Sequence, residues 1–362
     1  MIDIVEVWLN SGQYAEIAGQ RLRPIESKLL KGTPLATVRG QAQAFYLRDD
    51  NSIDWILKKF SPGKIPDSSY INAIQPLIPR RPGFQSGYLR KIFKQADVQP
   101  SGFYSDDFAS WIENTVLMAR VKCDDWAGLA DNIRSGLVVI GKDERLLFCK
   151  SLSEHISELE HYQMAHRDLS STNVFVSRQN VFVHLIDWEC VYHPTLTMPI
   201  NTVFGSEGYI APFVKRSGQP DAQATWRERA DRFSMALLNV EFLCMQVGSP
   251  VQHDGGIFDQ SDLYNRGGRT IDEAVRHLRQ NFPDVVDLFE RNIQAQDFDD
   301  CPAPDEWLTV VTAPHQTIRA VKVQPAGVPP PLDPPPKTAS LVLLNESAFV
   351  PLDTSAFVQL IQ

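Results

Sequence analysis

The stretch from His166 to Glu189 leaves a chain of this kind few ways to fold. An apolar, helix-like run leads into His166-Arg167-Asp168-Leu169-Ser170-Ser171-Thr172-Asn173, and two strand-like runs follow, Val174 to Val176 and Phe182 to Ile186. Asp168 and Asn173 lie five apart in the loop, and Asp187 closes the second run 19 residues after Asp168. Two such runs around a short polar break form a hairpin. A hairpin that begins at Asn173 and ends at Asp187 carries both residues to one end, beside Asp168. A carboxylate open to a proton, next to an amide and a second carboxylate able to hold a hard cation, is the equipment of metal-assisted phosphoryl transfer. An Asp and an Asn at a turn mean little alone, because both are common there. The signal is the full set of identities at this spacing.

The chain has room for such a site. Its 362 residues suffice for one large bilobal domain, or two ordinary ones, plus a tail. Apolar content of 43% and charged content of 22% are those of a soluble globular protein. A net charge of −9 argues against general attraction to nucleic acid or to anionic membrane. Cysteines at 123, 149, 190, 244 and 301 are widely spaced and form no CxxC pair, so reduced, buried thiols are expected rather than a zinc site or a disulfide frame. No basic run follows Met1, and the longest apolar run, Phe233 to Val247, is shorter than a membrane span and contains Asn239 and Glu241. The expectation is a cytoplasmic protein with neither nucleic acid nor membrane as partner.

The loop resembles the catalytic loop and metal segment of eukaryotic-type serine/threonine protein kinases, H-R-D-L-x-x-x-N followed by an Asp in the D-F-G-like position. The resemblance implies an α+β fold of two lobes, a small β-rich N-lobe and a larger helical C-lobe. It implies transfer of the γ-phosphate of ATP to a Ser/Thr hydroxyl of a protein substrate, with Asp168 as base and Asn173 and Asp187 holding Mg²⁺. Trp55-Ile56-Leu57-Lys58-Lys59-Phe60 is similar to the family's V-A-I-K strand, which makes Lys58 the point charge for nucleotide phosphates. Gly40 stands in the glycine-rich loop, and the backbone of Val116, Leu117, Met118 and Ala119 is where an adenine ring would lie. The implied division is an N-terminal extension at 1–33, an N-lobe at 34–118, a C-lobe at 119–313, a Pro-rich linker at 314–340 and a short strand-like tail at 341–362, the last two being a candidate docking point for a regulatory protein.

Local patterns supply the elements. Residues 4–9 alternate, which reads as an edge strand. The runs 34–47 and 53–60 flank the turn cluster Asp49-Asp50-Asn51-Ser52 and form a hairpin. Asp67 caps a helix reaching Leu77, and Phe108 to Met118 reads as the last N-lobe strand. Asp124-Asp125 opens a helix with apolar residues at 126, 129, 130 and 133. Arg145 to His161 is a second helix, with Leu147, Leu152, Ile156 and Leu159 facing inward. Gly205 to Phe213 resembles the G-T-x-G-Y-x-A-P-E end of a kinase activation segment. Among the hydroxyls Thr195, Thr197, Thr202, Ser206 and Tyr209, a phosphorylated one would find a partner in Arg167. Asp231 matches the family's carboxylate that accepts hydrogen bonds from the catalytic-loop backbone, and Asp300 to Trp307 its last-helix entry.

Several family supports are replaced. Val38 and Gln43 stand where the loop of Gly40 would carry two more glycines. No glutamate occurs between Lys58 and Trp111, so either another carboxylate pairs with Lys58 or the lysine is loosely held. Ser170 stands where many kinases carry lysine, and Phe213 and Cys301 replace an ion pair by apolar groups. Two further readings follow: a pseudokinase or regulatory binding module, and a small-molecule phosphotransferase of the aminoglycoside-kinase type, whose metal segment often reads I-D-W-E. The intact Asp168, Asn173 and Asp187 speak against the former. The segment ending at Pro212, with Asp231, speaks against the latter.

Overall fold

The computed structural model describes residues 4–39, 42–74, 76–79, 81–84, 95–199, 205–216 and 219–313. Gly40, Thr202, the Pro-rich run 314–340 and the tail 341–362 lie outside the described residues. Residues 4–9 form the start of helix α1 (Ile4–Ser11), not the edge strand their alternation suggests. Val5 and Trp8 are fully buried while Val7 is 45% exposed, which is helical rather than alternating spacing. Next come β1 (Ala15–Ile17), β2 (Gln20–Pro24), β3 (Ala36–Arg39), β4 (Ala42–Asp49) and β5 (Asp54–Phe60). They are followed by α2 (Ser68–Ile74), β6 (Val98–Gly102), α3 (Asp106–Ile112) and β7 (Thr115–Ala119). One antiparallel sheet of seven strands runs in the order β6-β1-β2-β4-β5-β7, with β3 on β4. Residues 15–24 are therefore built into the sheet and are no mere extension beside it.

The β4–β5 hairpin forms as its turn chemistry demands. Asp49 Oδ1 accepts from the N–H groups of Asn51 at 2.9 Å and Ile53 at 2.8 Å, while Oδ2 accepts from the Trp55 indole at 3.1 Å. One carboxylate thus closes the turn and fixes the register that sets Ala44 opposite Lys58. Asp67 caps α2 by accepting from Ser69 and Tyr70, though the helix ends at Ile74 rather than Leu77. The single strand expected over Phe108 to Met118 is instead a helix and a strand. Ser105 caps α3, Phe108, Ala109 and Ile112 bury its inner face, and Asn114, at φ 60°, turns the chain into β7.

The second half is mostly helical. Its elements are β8 (Asp124–Asp125), α4 (Trp126–Arg134), α5 (Lys142–His161), β9 (Val174–Ser177), β10 (Phe182–Leu185), β11 (Lys215–Arg216) and β12 (Gln219–Pro220). Then come α6 (Arg232–Cys244), α7 (Gln260–Asn265), α8 (Arg269–Asn281), α9 (Val286–Gln294) and α10 (Pro304–Thr312). Asp125 caps α4 through Gly128 N–H at 2.7 Å. The inner face of α5 is Leu146, Phe148, Cys149, Leu152, Ile156 and Leu159; Leu147, expected inward, is only half-buried. Every residue of α6 except Ser234 is buried, so this helix is the pillar of the half. β9 and β10 pair as expected, Val174 opposite Leu185 and Val176 opposite Val183. The whole is a mixed α+β protein with antiparallel sheets. All five cysteines are free, and among the described residues no helix is long and apolar enough to cross a membrane.

The loop at 81–84 is tied to the hairpin: Gly83 carbonyl accepts from Leu185 N–H at 2.9 Å. Gly83 lies at φ +92°, and a Cβ there would sit 2.1 Å from His155 Nε2. Gly83→Ala is expected to cost about 2–3 kcal/mol in urea unfolding, through strain and overlap together. An unchanged midpoint would mean the loop yields freely. His155 itself faces the Val183 carbonyl through Nε2 at 2.8 Å and packs between Phe84 and Phe182. Burial pushes its pKa down to about 3 from 6.5, with Arg81 and His184 adding to the push and the Val183 carbonyl opposing it. The unfolded chain therefore takes up a proton that the folded ring refuses, so stability is full above pH 6.5 and falls as pH drops toward 3. Urea unfolding across pH 6.5 to 4 should show a His155→Gln variant losing stability less steeply than wild type, by up to about 1.4 kcal/mol per pH unit.

Candidate active site

Asp231, the residue before α6, is 2% exposed, and its carboxylate meets two backbone N–H groups of the loop. Oδ2 accepts from His166 at 2.5 Å and Oδ1 from Arg167 at 2.7 Å. A buried carboxylate needs such donors, and the loop needs such an acceptor, because Arg167 sits at φ 68°. The His166 ring continues the link, its Nε2 facing the Ile186 carbonyl at 2.7 Å. Thus α6 holds the loop, and the loop holds the end of β10. Asp187 follows there in a left-handed conformation, φ 64° and ψ 61°.

The three polar residues come together as the spacing implies. Asn173 Nδ2 donates to the Asp168 carbonyl at 2.8 Å and to Asp168 Oδ2 at 3.0 Å, which leaves its own Oδ1 as an acceptor to offer. Ser206 Oγ donates to Asp168 Oδ1 at 2.9 Å. Burial raises the Asp168 carboxyl to about 6; the Ser206 bond opposes this and the nearby Asp187 charge adds to it. Lys58 reaches across from β5. Its Nζ lies 2.9 Å from Asp187 Oδ2 and 3.1 Å from Glu189 Oε1. Burial alone would lower the lysine's pKa, but the two carboxylates outweigh it and keep the ammonium charged far above its ordinary range.

These groups line one cavity of about 1240 Å³ between the sheet and the helical half. Lys58, Asp168, Asn173, Asp187, Met118 and Ala119 are on its wall. Val116 and Leu117 are not: both are fully buried in β7, paired against β5, and the wall continues instead through Arg120, Val121 and Cys123. Glu189 is also on the wall, and the sequence reading gave it no role. It sits 131 positions from the lysine it pairs with, but two after Asp187, and that i, i+2 pair of acids was the available signal.

Arg167 has no fork to spare for a phosphate. Its guanidinium donates to the carbonyls of Cys190 at 2.9 Å, Thr225 at 2.8 Å and Ala222 at 3.2 Å, and it lies 4.7 Å over the Trp226 ring. The partnership expected between it and a phosphorylated hydroxyl is replaced by this cage. Tyr209 is equally committed, buried with its hydroxyl donating to Glu241 at 2.8 Å. Thr195 and Thr197 are exposed. Phe213 packs edge-on to Phe298 at 4.9 Å and Phe233 at 6.0 Å, the apolar contact expected where an ion pair was missing.

The donor set suits a hard cation that brings much of its own shell. Among the described residues no three His, Cys, Asp or Glu side chains form a cage, and Asn173 with Asp187 offers one amide oxygen and one carboxylate. Mg²⁺ takes such sites, completing its octahedron with water and phosphate oxygens. No known protein-family model matches this chain, and no curated protein matches it.

Asp231→Ala would strand two buried loop N–H groups. It is expected to cost about 2–6 kcal/mol, two unmet donors at about 1–3 kcal/mol each. Hydrogen exchange should then show the His166 and Arg167 amides opening well before the core of α6. Amides that stay as protected as in wild type would mean the loop is held by something else.

Proposed function

We propose that this chain is an ATP- and Mg²⁺-dependent protein kinase that phosphorylates Ser/Thr hydroxyls, with residues 34–118 and 119–313 as the two lobes of a kinase-like fold. What carries the reading is the convergence of Lys58, Asp168, Asn173 and Asp187, drawn from three separate segments, on one cavity wall. Asp168 accepts the proton of the acceptor hydroxyl, and its carboxylate is held for that purpose by Asn173 and Ser206. Lys58 presents a fixed positive charge toward the cavity, where phosphate oxygens would meet it. Asn173 Oδ1 and Asp187 would hold Mg²⁺, which would neutralise charge on the transferring phosphoryl group. Met118 and Ala119, with the chain just beyond them, form the wall for an adenine ring.

Incubation with labelled ATP and Mg²⁺, wild type beside Asp168→Ala, tests this. Wild type should label itself or a generic protein substrate. The variant should lose at least about 100-fold in rate while keeping a nucleotide-induced thermal shift. A shift without label would favour a regulatory nucleotide-binding module. Label appearing on an aminoglycoside alone would favour a small-molecule phosphotransferase. The absence of both label and shift would overturn the kinase reading.

A further inference from the structure

Lys58 is held by two carboxylates, and on the proposed reading one of them has another task. Asp187 meets the ammonium through Oδ2, and a hard cation held at roughly 2.0–2.1 Å by the same carboxylate would draw on its charge and weaken its hold on the lysine. We infer that Glu189 is the positioning residue for Lys58, the group that keeps the ammonium in place when Asp187 turns to a cation. This rests on the site's being one for Mg²⁺ and nucleotide.

The geometry favours Glu189 over any helix-borne acid. Residues 59–112 contain no glutamate, and α2 buries Tyr70, Ile71 and Ile74 toward the core. Its one acid, Asp67, is spent as the cap. Glu189 lies in the tight turn Trp188–Cys190 just after Asp187, with its side chain only 10% exposed. That turn is firmly placed: Trp188 is fully buried and its indole donates to the Leu185 carbonyl at 3.2 Å. Tyr70 then ties α2 to the same segment through its hydroxyl on the Val191 carbonyl. The holder of the lysine and the metal carboxylate therefore share one rigid turn. Placement of the lysine follows that turn, and α2 follows it too, rather than the helix dictating the ion pair by its position.

Without Glu189, Lys58 and the cation would compete for Asp187, and this gives a readout that a general loss of structure would not mimic. In the full chain, ATP binding is measured by calorimetry against Mg²⁺ concentration and again in EDTA. Glu189→Gln should raise the Mg²⁺ needed for half-maximal ATP binding by about tenfold, as expected for losing one partner of a mostly buried pair, with EDTA binding changed less than about twofold. Glu189→Asp should recover part of the Mg²⁺ response. In a Lys58→Met background the further change Glu189→Gln should do nothing, since the residue acts through the lysine. That double variant removes the ammonium and the Glu189 charge together and leaves one carboxylate, the part-exposed Asp187, so it serves if the single variant does not fold. Wild-type Mg²⁺ dependence in Glu189→Gln, or an equal effect of Glu189→Gln with Met at 58, would overturn the inference and leave the kinase reading standing. Failure of wild type to bind ATP at any Mg²⁺ concentration would overturn both.

Discussion

The contact between the Asp231 carboxylate and the His166 and Arg167 amides is what the site depends on. A carboxylate at 2% exposure is costly unless every oxygen is met, and the loop amides meet both. In return the loop keeps Arg167 at φ 68°, a conformation worth roughly 1–2 kcal/mol of strain in a side-chain-bearing residue. Because α6 is buried nearly all round, Asp231 has nowhere to go. From it the order passes through His166 to the Ile186 carbonyl, and so to Asp187 at the far end of the hairpin. Arg232, one residue on, adds a fork-to-fork pair with Glu160 at 2.6 and 2.7 Å, fixing the last turn of α5 just before the loop begins. The loop is held at its entry and at its base by two adjacent residues of one helix.

This half of the molecule was legible in the sequence because its signals are local. The β9–β10 hairpin, the cap of α4 and the burial of α6 each follow from residues within a few positions of one another. The N-terminal half was harder for a physical reason. Ile4 to Leu9 alternates in hydropathy, yet Trp8 stacks on Phe103 and packs against Phe108, and that aromatic cluster outweighs strand propensity. Phe108 to Ile112 has the apolar content of a strand but is captured as a helix by the Ser105 cap. Most of the site residues were visible, since motif spacing names them directly. Glu189 was not, because its role is set by a contact across 131 residues. The Asp187–Glu189 spacing marks a second acid beside the first, but nothing local names the lysine it meets.

Phe213 and Cys301 show the same economy of buried charge, since apolar groups rather than an ion pair fill this corner. Phe213 meets Phe298 and Phe233 edge-on, and the Cys301 thiol, 2% exposed, turns to the Asp297 carbonyl at 3.6 Å. Packed aromatic pairs of this kind contribute about 0.5–1.5 kcal/mol beyond their area, without the desolvation that a buried ion pair must overcome. The charges that remain nearby, Arg227 and Arg229 with Asp297 and Asp299, stay half-exposed at the rim, where such pairs are weak. What fastens Phe213 is therefore shape, and its neighbour α6 supplies much of it through Phe233.

The state of Asp168 follows from two opposed pulls. Burial drives its carboxyl upward, and a lone buried acid would lie higher still. Donors from Ser206 and Asn173 draw it back, each favouring the charged form. Ser206 is no loose donor: Gln260 holds its segment by accepting from Gly208 N–H at 2.8 Å and donating to the Ile210 carbonyl at 2.9 Å, and Glu241 holds Tyr209. A carboxylate oxygen has two lone pairs, so on the proposed function a substrate hydroxyl would bond to Oδ1 without expelling Ser206. The balance leaves Asp168 ionised near neutral pH yet basic enough to take a proton, as the proposed role of general base would require.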